Sequence, residues 1–181
     1  VNAPAYADML VGEELATLLS NSYDADHHVR IINGNVLTGK PTTKEGFLGA
    51  HTSEITVIPE GDDADEFAGW IMPRFRQFSV NRSYFSWFCG KKKKYALDAR
   101  VKGGERHMIM SGEYDKVLPM DIYGEYLIKA IITGDIDRQE ALGIYEVSPE
   151  DFALAEFVDS SKLELQRIVR EGLNILRKEN A

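Results

Sequence analysis

Met108-Ile109-Met110-Ser111-Gly112-Glu113-Tyr114-Asp115-Lys116-Val117-Leu118-Pro119 has the spacing of a cluster-binding motif without its cysteines. The pattern C-x2-C-x2-C-x3-C-P holds cubane iron–sulfur clusters through thiolates. On this stretch it puts Met108, Ser111, Tyr114 and Leu118 at the cysteine positions, with Pro119 directly after them. A second copy, 41 residues on, falls at Pro149, Phe152, Ala155 and Asp159. None of the eight is Cys, so neither frame offers a thiolate to iron.

The segments around the two frames read as helices. Met120 to Ile132 places Ile122, Tyr126, Leu127 and Ala130 at helical spacing, with Pro119 at the entrance and Gly134 as a stop. A short helix over Asp137 to Leu142 ends at Gly143. Ser148-Pro149-Glu150-Asp151 is a helix start, with Ser as cap and Pro in the first turn, leading to Phe152, Leu154, Ala155 and Val158. The final helix, Lys162 to Lys178, carries Leu165, Ile168, Val169, Leu173 and Leu176 on one face and ends in a basic turn. Four short helices with polar connections predict a small bundle.

The first 66 residues read differently. A short helix is expected over Glu13 to Asn21, with Leu15, Leu18 and Leu19 on one stripe and Gly12 as its cap. Val29 to Ile32 is a β-branched strand, Asn33-Gly34-Asn35 a turn, and Val36-Leu37-Thr38 the returning strand. Gly39 to Glu45 reads as a loop, and Ile55 to Ile58 as a further strand ending at Pro59. Strands with one helix across them suggest a β-grasp. The acidic run from Glu60 to Glu66 is the expected boundary, giving domains 1–66 and 67–181. The fold class is α+β.

Charge is unevenly distributed. The whole chain stands at −8, yet Arg74 to Arg106 holds ten basic residues against Asp98 and Glu105, or +8. The remainder has 11 basic and 27 acidic residues, or −16. Such an island can face an acidic partner or anionic headgroups, or it can be a solvated loop built on Lys91, Lys92, Lys93 and Lys94. The acidic remainder and the absence of a recognition motif argue against nucleic acid. No apolar run approaches the ~20 residues of a spanning helix. The single cysteine, Cys89, excludes an internal disulfide, suits a reducing compartment, and reads as a small packed residue beside Phe88.

Catalytic motifs are missing. His27, His28, His51 and His107 have no helical metal-site spacing, and no P-loop, G-x-S-x-G or G-x-G-x-x-G occurs. No catalytic or metal-ligating residue is assigned. Gly103-Gly104-Glu105-Arg106 is either an anion-binding nest or a turn with a structural Glu–Arg pair.

A longer series of words runs through the chain. Arg30-Ile31-Ile32-Asn33-Gly34-Asn35-Val36-Leu37-Thr38-Gly39 is followed by Gly69-Trp70-Ile71-Met72-Pro73 and Phe78-Ser79-Val80-Asn81-Arg82. Then come Gly103-Gly104-Glu105-Arg106, Gly112-Glu113-Tyr114-Asp115-Lys116-Val117-Leu118-Pro119-Met120-Asp121-Ile122 and Thr133-Gly134-Asp135. This ordered set closely resembles the A-type subunit of the bacterial Na+-translocating NADH:quinone reductase (Na+-NQR). The resemblance covers nearly all of the chain and roughly the last two-fifths of that subunit, so the start at Val1 is expected to be a truncation.

The resemblance implies a soluble-ligand-binding β-grasp unit, then a helical module like a ferredoxin without cluster ligands. Other members of the family keep a cysteine or two near the positions of Ala155 and Asp159; this chain keeps neither. It also implies a peripheral subunit on the cytoplasmic face of the bacterial inner membrane. The implied complex oxidises NADH, reduces ubiquinone and exports Na+, with flavins and iron–sulfur centres in other subunits. The expected partners are those subunits, with ubiquinone as a candidate ligand, and no cofactor is expected in this part. An alternative is a stand-alone β-grasp protein that binds a small ligand and has no redox role.

Within that frame the aromatic segment is the candidate contact surface. Trp70, Phe75, Phe78, Tyr84, Phe85, Trp87 and Phe88 crowd into 19 residues. Quinones bind in apolar, aromatic clefts with a few polar anchors, whereas rings can equally fill a core. The candidate quinone or partner contacts are Trp70, Phe85, Trp87, Phe88, Lys91, Lys92, Lys93, Lys94 and Arg106.

Overall fold

The computed structural model describes residues 6–20, 27–62, 67–68, 71–72, 75, 77–80, 82–90 and 93–181. They form an α+β structure that separates into two compact units, Val1–Lys102 and Gly103–Ala181.

In the first unit, β1 (Val29–Asn33) is the centre of an antiparallel sheet ordered β2-β1-β3, flanked by β2 (Lys40–Thr42) and β3 (Ile55–Pro59). Ile31 pairs with Val57 and Val29 with Pro59. The period of two therefore puts Val29, Ile31, Ile55 and Val57 on one face, where Leu15 and Leu19 of α1 (Leu15–Leu19) pack against them. Burying each leucine contributes roughly 1.5–3 kcal/mol.

Two expectations are corrected here. Helix α1 starts at Leu15, because Glu14 is engaged in a bridge with Phe47. Val36-Leu37-Thr38 is the turn itself and not the returning strand. The Asn35 Oδ1 accepts from the backbone N–H groups of Leu37 and Thr38, both at 2.8 Å, which holds the chain in an Asx-type turn. The return begins at Lys40, inside the stretch expected as loop. Gly39 is required there: a Cβ would lie 2.4 Å from the Asn35 carbonyl and 2.5 Å from the Ile32 side chain.

The second unit is helical: α2 (Gly124–Thr133), α3 (Ile136–Ala141), α4 (Ala153–Val158) and α5 (Leu165–Glu179). The core joins Leu127, Ile128 and Ile131 of α2 to Leu165, Val169 and Leu176 of α5, with Ile144 and Phe152 between. The stop at Gly134 and the start at Ser148 are in place, whereas α2 begins at Gly124 and not at Met120. Gly134 takes a φ of 70° and its N–H bonds back to the carbonyl of Ile131. Ser148 and Asp151 form a reciprocal capping box ahead of α4. Helices α2 and α5 meet closely at Gly172, where a Cβ would lie 2.9 Å from the Ile131 side chain.

Helix α5 begins three residues later than its apolar pattern suggests. The Asp159 carboxylate holds the N–H groups of Ser161 and Leu163, and Lys162 adopts a φ of 60°. Among the described residues no helix is long and apolar enough to cross a membrane.

Candidate functional site

The two cysteine-free frames lie within the second unit. Tyr114, Phe152 and Ala155 belong to its buried core, Met108 and Leu118 pack against it, and Asp159 is fully buried. Side chains thus occupy the frame at the density of a protein interior. Ser111 is exposed, and its N–H and Oγ bond to the buried Glu125 carboxylate at 3.1 and 3.3 Å, with Gly112 N–H at 2.6 Å. Pro149 opens the short 3-10 turn that leads into α4. Ser161 ties the frames together: its Oγ accepts from Ile109 N–H at 2.8 Å and its carbonyl from Arg106 N–H at 2.9 Å. That bond uses the Arg106 N–H within the backbone, which favours the turn over the anion nest.

The Tyr114 hydroxyl is buried and makes no hydrogen bond of normal geometry. Burial first, then the negative charge and acceptor oxygens of Asp159, and the charge of Glu125, push its pKa far above the ordinary tyrosine value. An unfolded tyrosine ionises near pH ~10, while the folded one stays neutral. The associated stability is therefore present below pH ~10 and is lost as the pH rises beyond it. Tyr114→Phe is expected to remove that alkaline loss and to cost less than ~1 kcal/mol at neutral pH. Urea melts of both proteins at neutral pH and above pH ~10 provide the check. A variant with the same alkaline loss would count against this account.

The aromatic segment lies in the first unit and stands outside both cores. Phe75 is 61% exposed, Phe85 48%, Trp87 47% and Phe88 65%, so core packing is not what these rings do. Phe85–Cys89 is a single 3-10 turn whose inward residue is Ser86, and Tyr95 donates its hydroxyl to the Ser86 carbonyl at 3.4 Å. Around it the rings contact one another. Trp87 stacks on Phe88 with centroids 3.8 Å apart, Phe75 lies 5.7 Å from Phe85, and Phe78 meets Tyr95 edge-on at 5.4 Å. Cations join them: the Arg82 guanidinium sits 6.0 Å over Trp87 and the Lys93 ammonium 5.3 Å over Tyr95. Lys93 also donates to the Phe75 carbonyl, and Lys94 is exposed.

Trp70, Lys91 and Lys92 lie outside the described residues. Cys89 is exposed rather than packed. Arg106 is also exposed, but it belongs to the second unit.

The basic island is partly neutralised from within. Asp98 accepts from Arg100 Nη2 at 2.6 Å and faces Lys102 at 3.4 Å. Burial alone would raise the Asp98 pKa, but the Arg100 hydrogen bonds and the Lys102 charge outweigh it and hold it below the usual value. Elsewhere His28 Nδ1 lies 2.5 Å from an Asp62 carboxylate oxygen, and Arg30 forms an ion pair with Glu60. Among the described residues no group of three or more His, Cys, Asp and Glu side chains is placed to hold a metal ion.

Comparison with known proteins bears on these surfaces. Residues 1–44 match the family model described as NQRA C-terminal domain. The chain is 36% identical over 180 residues to the Na(+)-translocating NADH-quinone reductase A-type subunit of Rhodopirellula baltica, and 36% to that of Haemophilus influenzae strain PittGG. The counterpart in Yersinia pestis bv. Antiqua is 34% identical. In each case 99% of this chain aligns with 39–40% of the relative, so the chain spans about two-fifths of the proteins it matches. The ordered words from Arg30 to Asp135 and an alignment along nearly every residue agree, and the chain belongs to the NQRA family, the A-type subunits of the Na+-translocating NADH-quinone reductase.

Proposed function

We propose that this chain is the docking and assembly part of a peripheral subunit in a Na+-translocating NADH:ubiquinone oxidoreductase. That respiratory complex couples NADH oxidation and ubiquinone reduction to Na+ export, with its flavins and iron–sulfur centres in other subunits. The chain sits on the cytoplasmic side of the bacterial inner membrane and contributes contacts rather than catalytic groups. The observation that carries this reading is the exposed ring cluster of Phe75, Phe85, Trp87 and Phe88 next to Lys93 and Lys94. Rings left outside a core and grouped on one surface mark a site of interaction. The same rings are the quinone-contact candidates, with the lysines as polar anchors.

The reading extends to architecture. Residues 1–66 are a β-grasp, a reading supported by the antiparallel sheet with α1 packed on one face. The second is the body of a ferredoxin-like module whose ligand positions have become core, supported by Tyr114, Phe152 and Ala155.

Phe85→Ala, Trp87→Ala and Phe88→Ala are each expected to cost under ~1 kcal/mol in thermal melts, far less than the ~3–5 kcal/mol of a core ring. They should lower assembly with the remaining subunits or quinone reductase activity. Lys93→Ser with Lys94→Ser should weaken assembly and reduce its salt dependence. Full assembly and activity in all of these variants would remove the contact role from this segment.

A further inference from the structure

Resting on the reading of this segment as a contact surface, we infer that Phe85, Trp87, Phe88, Lys93 and Lys94 seat in the headgroup region of an anionic lipid bilayer. A protein interface would be the other occupant, and the residue types decide between them. Protein interfaces enrich aromatic residues and Arg but deplete Lys. The boundary of a bilayer favours aromatic rings together with Lys, whose long apolar stem lies along the acyl region while its ammonium reaches the phosphates.

Here three exposed rings, Phe85, Trp87 and Phe88, lie on one short turn, and the sequence continues through Gly90 directly into four consecutive lysines. Ser86 is buried beneath them, and its carbonyl is held by Tyr95, so the turn has a fixed base. Arg82 over Trp87 and Lys93 over Tyr95 keep cations at the level of the rings. Asp98 engages Arg100 and Lys102, and between Glu66 and Asp98 the sequence holds no acidic residue to offset the cations beside the rings.

The acidic remainder of the chain does not forbid this approach. At physiological salt its repulsion is screened within ~8 Å, so the local island governs what happens at contact.

The test uses the purified protein with phosphatidylcholine vesicles, with and without phosphatidylglycerol. Binding by co-sedimentation is expected only with the anionic vesicles, with a blue shift of tryptophan emission and release at high salt. Lys93→Ser with Lys94→Ser should weaken binding roughly 25-fold, about fivefold for each lysine. Trp87→Ala with Phe88→Ala should abolish the emission shift and most of the binding; if that pair disturbs folding, the lysine variant decides.

No binding, equal binding to uncharged vesicles, or binding indifferent to both variants would overturn the proposal. If vesicles are ignored while the detergent-solubilised remaining subunits still capture the protein, and the same substitutions weaken that capture, the surface is a protein interface. In that event the lipid assignment fails and the docking role stands. Vesicle binding without capture by the subunits would leave the lipid assignment in place and overturn the docking role.

Discussion

Phe152→Ala is expected to unfold the helical unit or bring it close to unfolding. Phe152 is fully buried at the end of the 3-10 turn that feeds α4, and it sits in the core shared by α2 and α5. Its ring lies 3.6 Å from where a Cβ on Gly124 would be, so it also packs against the start of α2. Cutting a buried ring to Ala costs ~3–5 kcal/mol, as lost transfer energy plus the cavity left behind. A domain's whole stability is ~5–15 kcal/mol. Far-UV circular dichroism during denaturant titration reads the loss directly. A cost below ~1.5 kcal/mol would mean that the core can close over the gap, and that Phe152 is not the centre of the packing.

Asp159→Ala should cost ~2–4 kcal/mol, because it strands donors as well as deleting an acceptor. The carboxylate is fully buried and accepts from Ser161 N–H at 3.1 Å and Leu163 N–H at 2.9 Å. These bonds place Ser161, whose Oγ in turn holds Ile109 N–H. The expected signature is twofold: a lower melting midpoint, and faster hydrogen exchange at Ile109, Ser161 and Leu163. Asp159→Asn keeps the shape but has one acceptor oxygen in place of two, so it should fall between the wild type and Asp159→Ala. Exchange unchanged at Ile109 would separate the two frames and overturn the idea that Asp159 organises their junction.

The helical unit was largely legible because its signals are local. The Leu165, Val169 and Leu176 stripe, the Gly134 stop and the Ser148–Pro149 start all act within a turn or two of their own position. The errors lie where a side chain overrides the local pattern. Asn35 builds the turn with its own carboxamide and so moves the return strand to Lys40. Asp159 holds the chain in a turn, with Lys162 at a left-handed φ, and so delays α5. The spacing Asp159-x-Ser161, an acid two residues before a hydroxyl after a helix, was a usable signal for that loop.

The ring cluster was visible in the sequence as composition, but its side was not. Phe and Trp favour a core and an interface alike, and only the geometry of a 3-10 turn with Ser86 inward puts Phe85, Trp87 and Phe88 outward. Glu125 was missed as a structural anchor because its partners, Ser111 and Gly112, lie well outside its own helix.

The glycine at position 172 makes the last helix a lever. Helix α5 has 15 residues and is therefore about 22 Å long, and Gly172 lies at its middle against Ile131 and Ile144. Any larger residue there is a wedge under a rigid rod. A lift of a few tenths of an ångström at the fulcrum tilts the rod, and the displacement grows toward its ends. The far end is latched by a bond from Asn180 Nδ2 to the Tyr145 hydroxyl at 3.0 Å. Tyr145 also donates to Glu140 at 2.8 Å, so the tilt would be felt in α3 through a chain of two hydrogen bonds. The size of one side chain at the middle of α5 thereby sets the angle at which the helix closes over the unit.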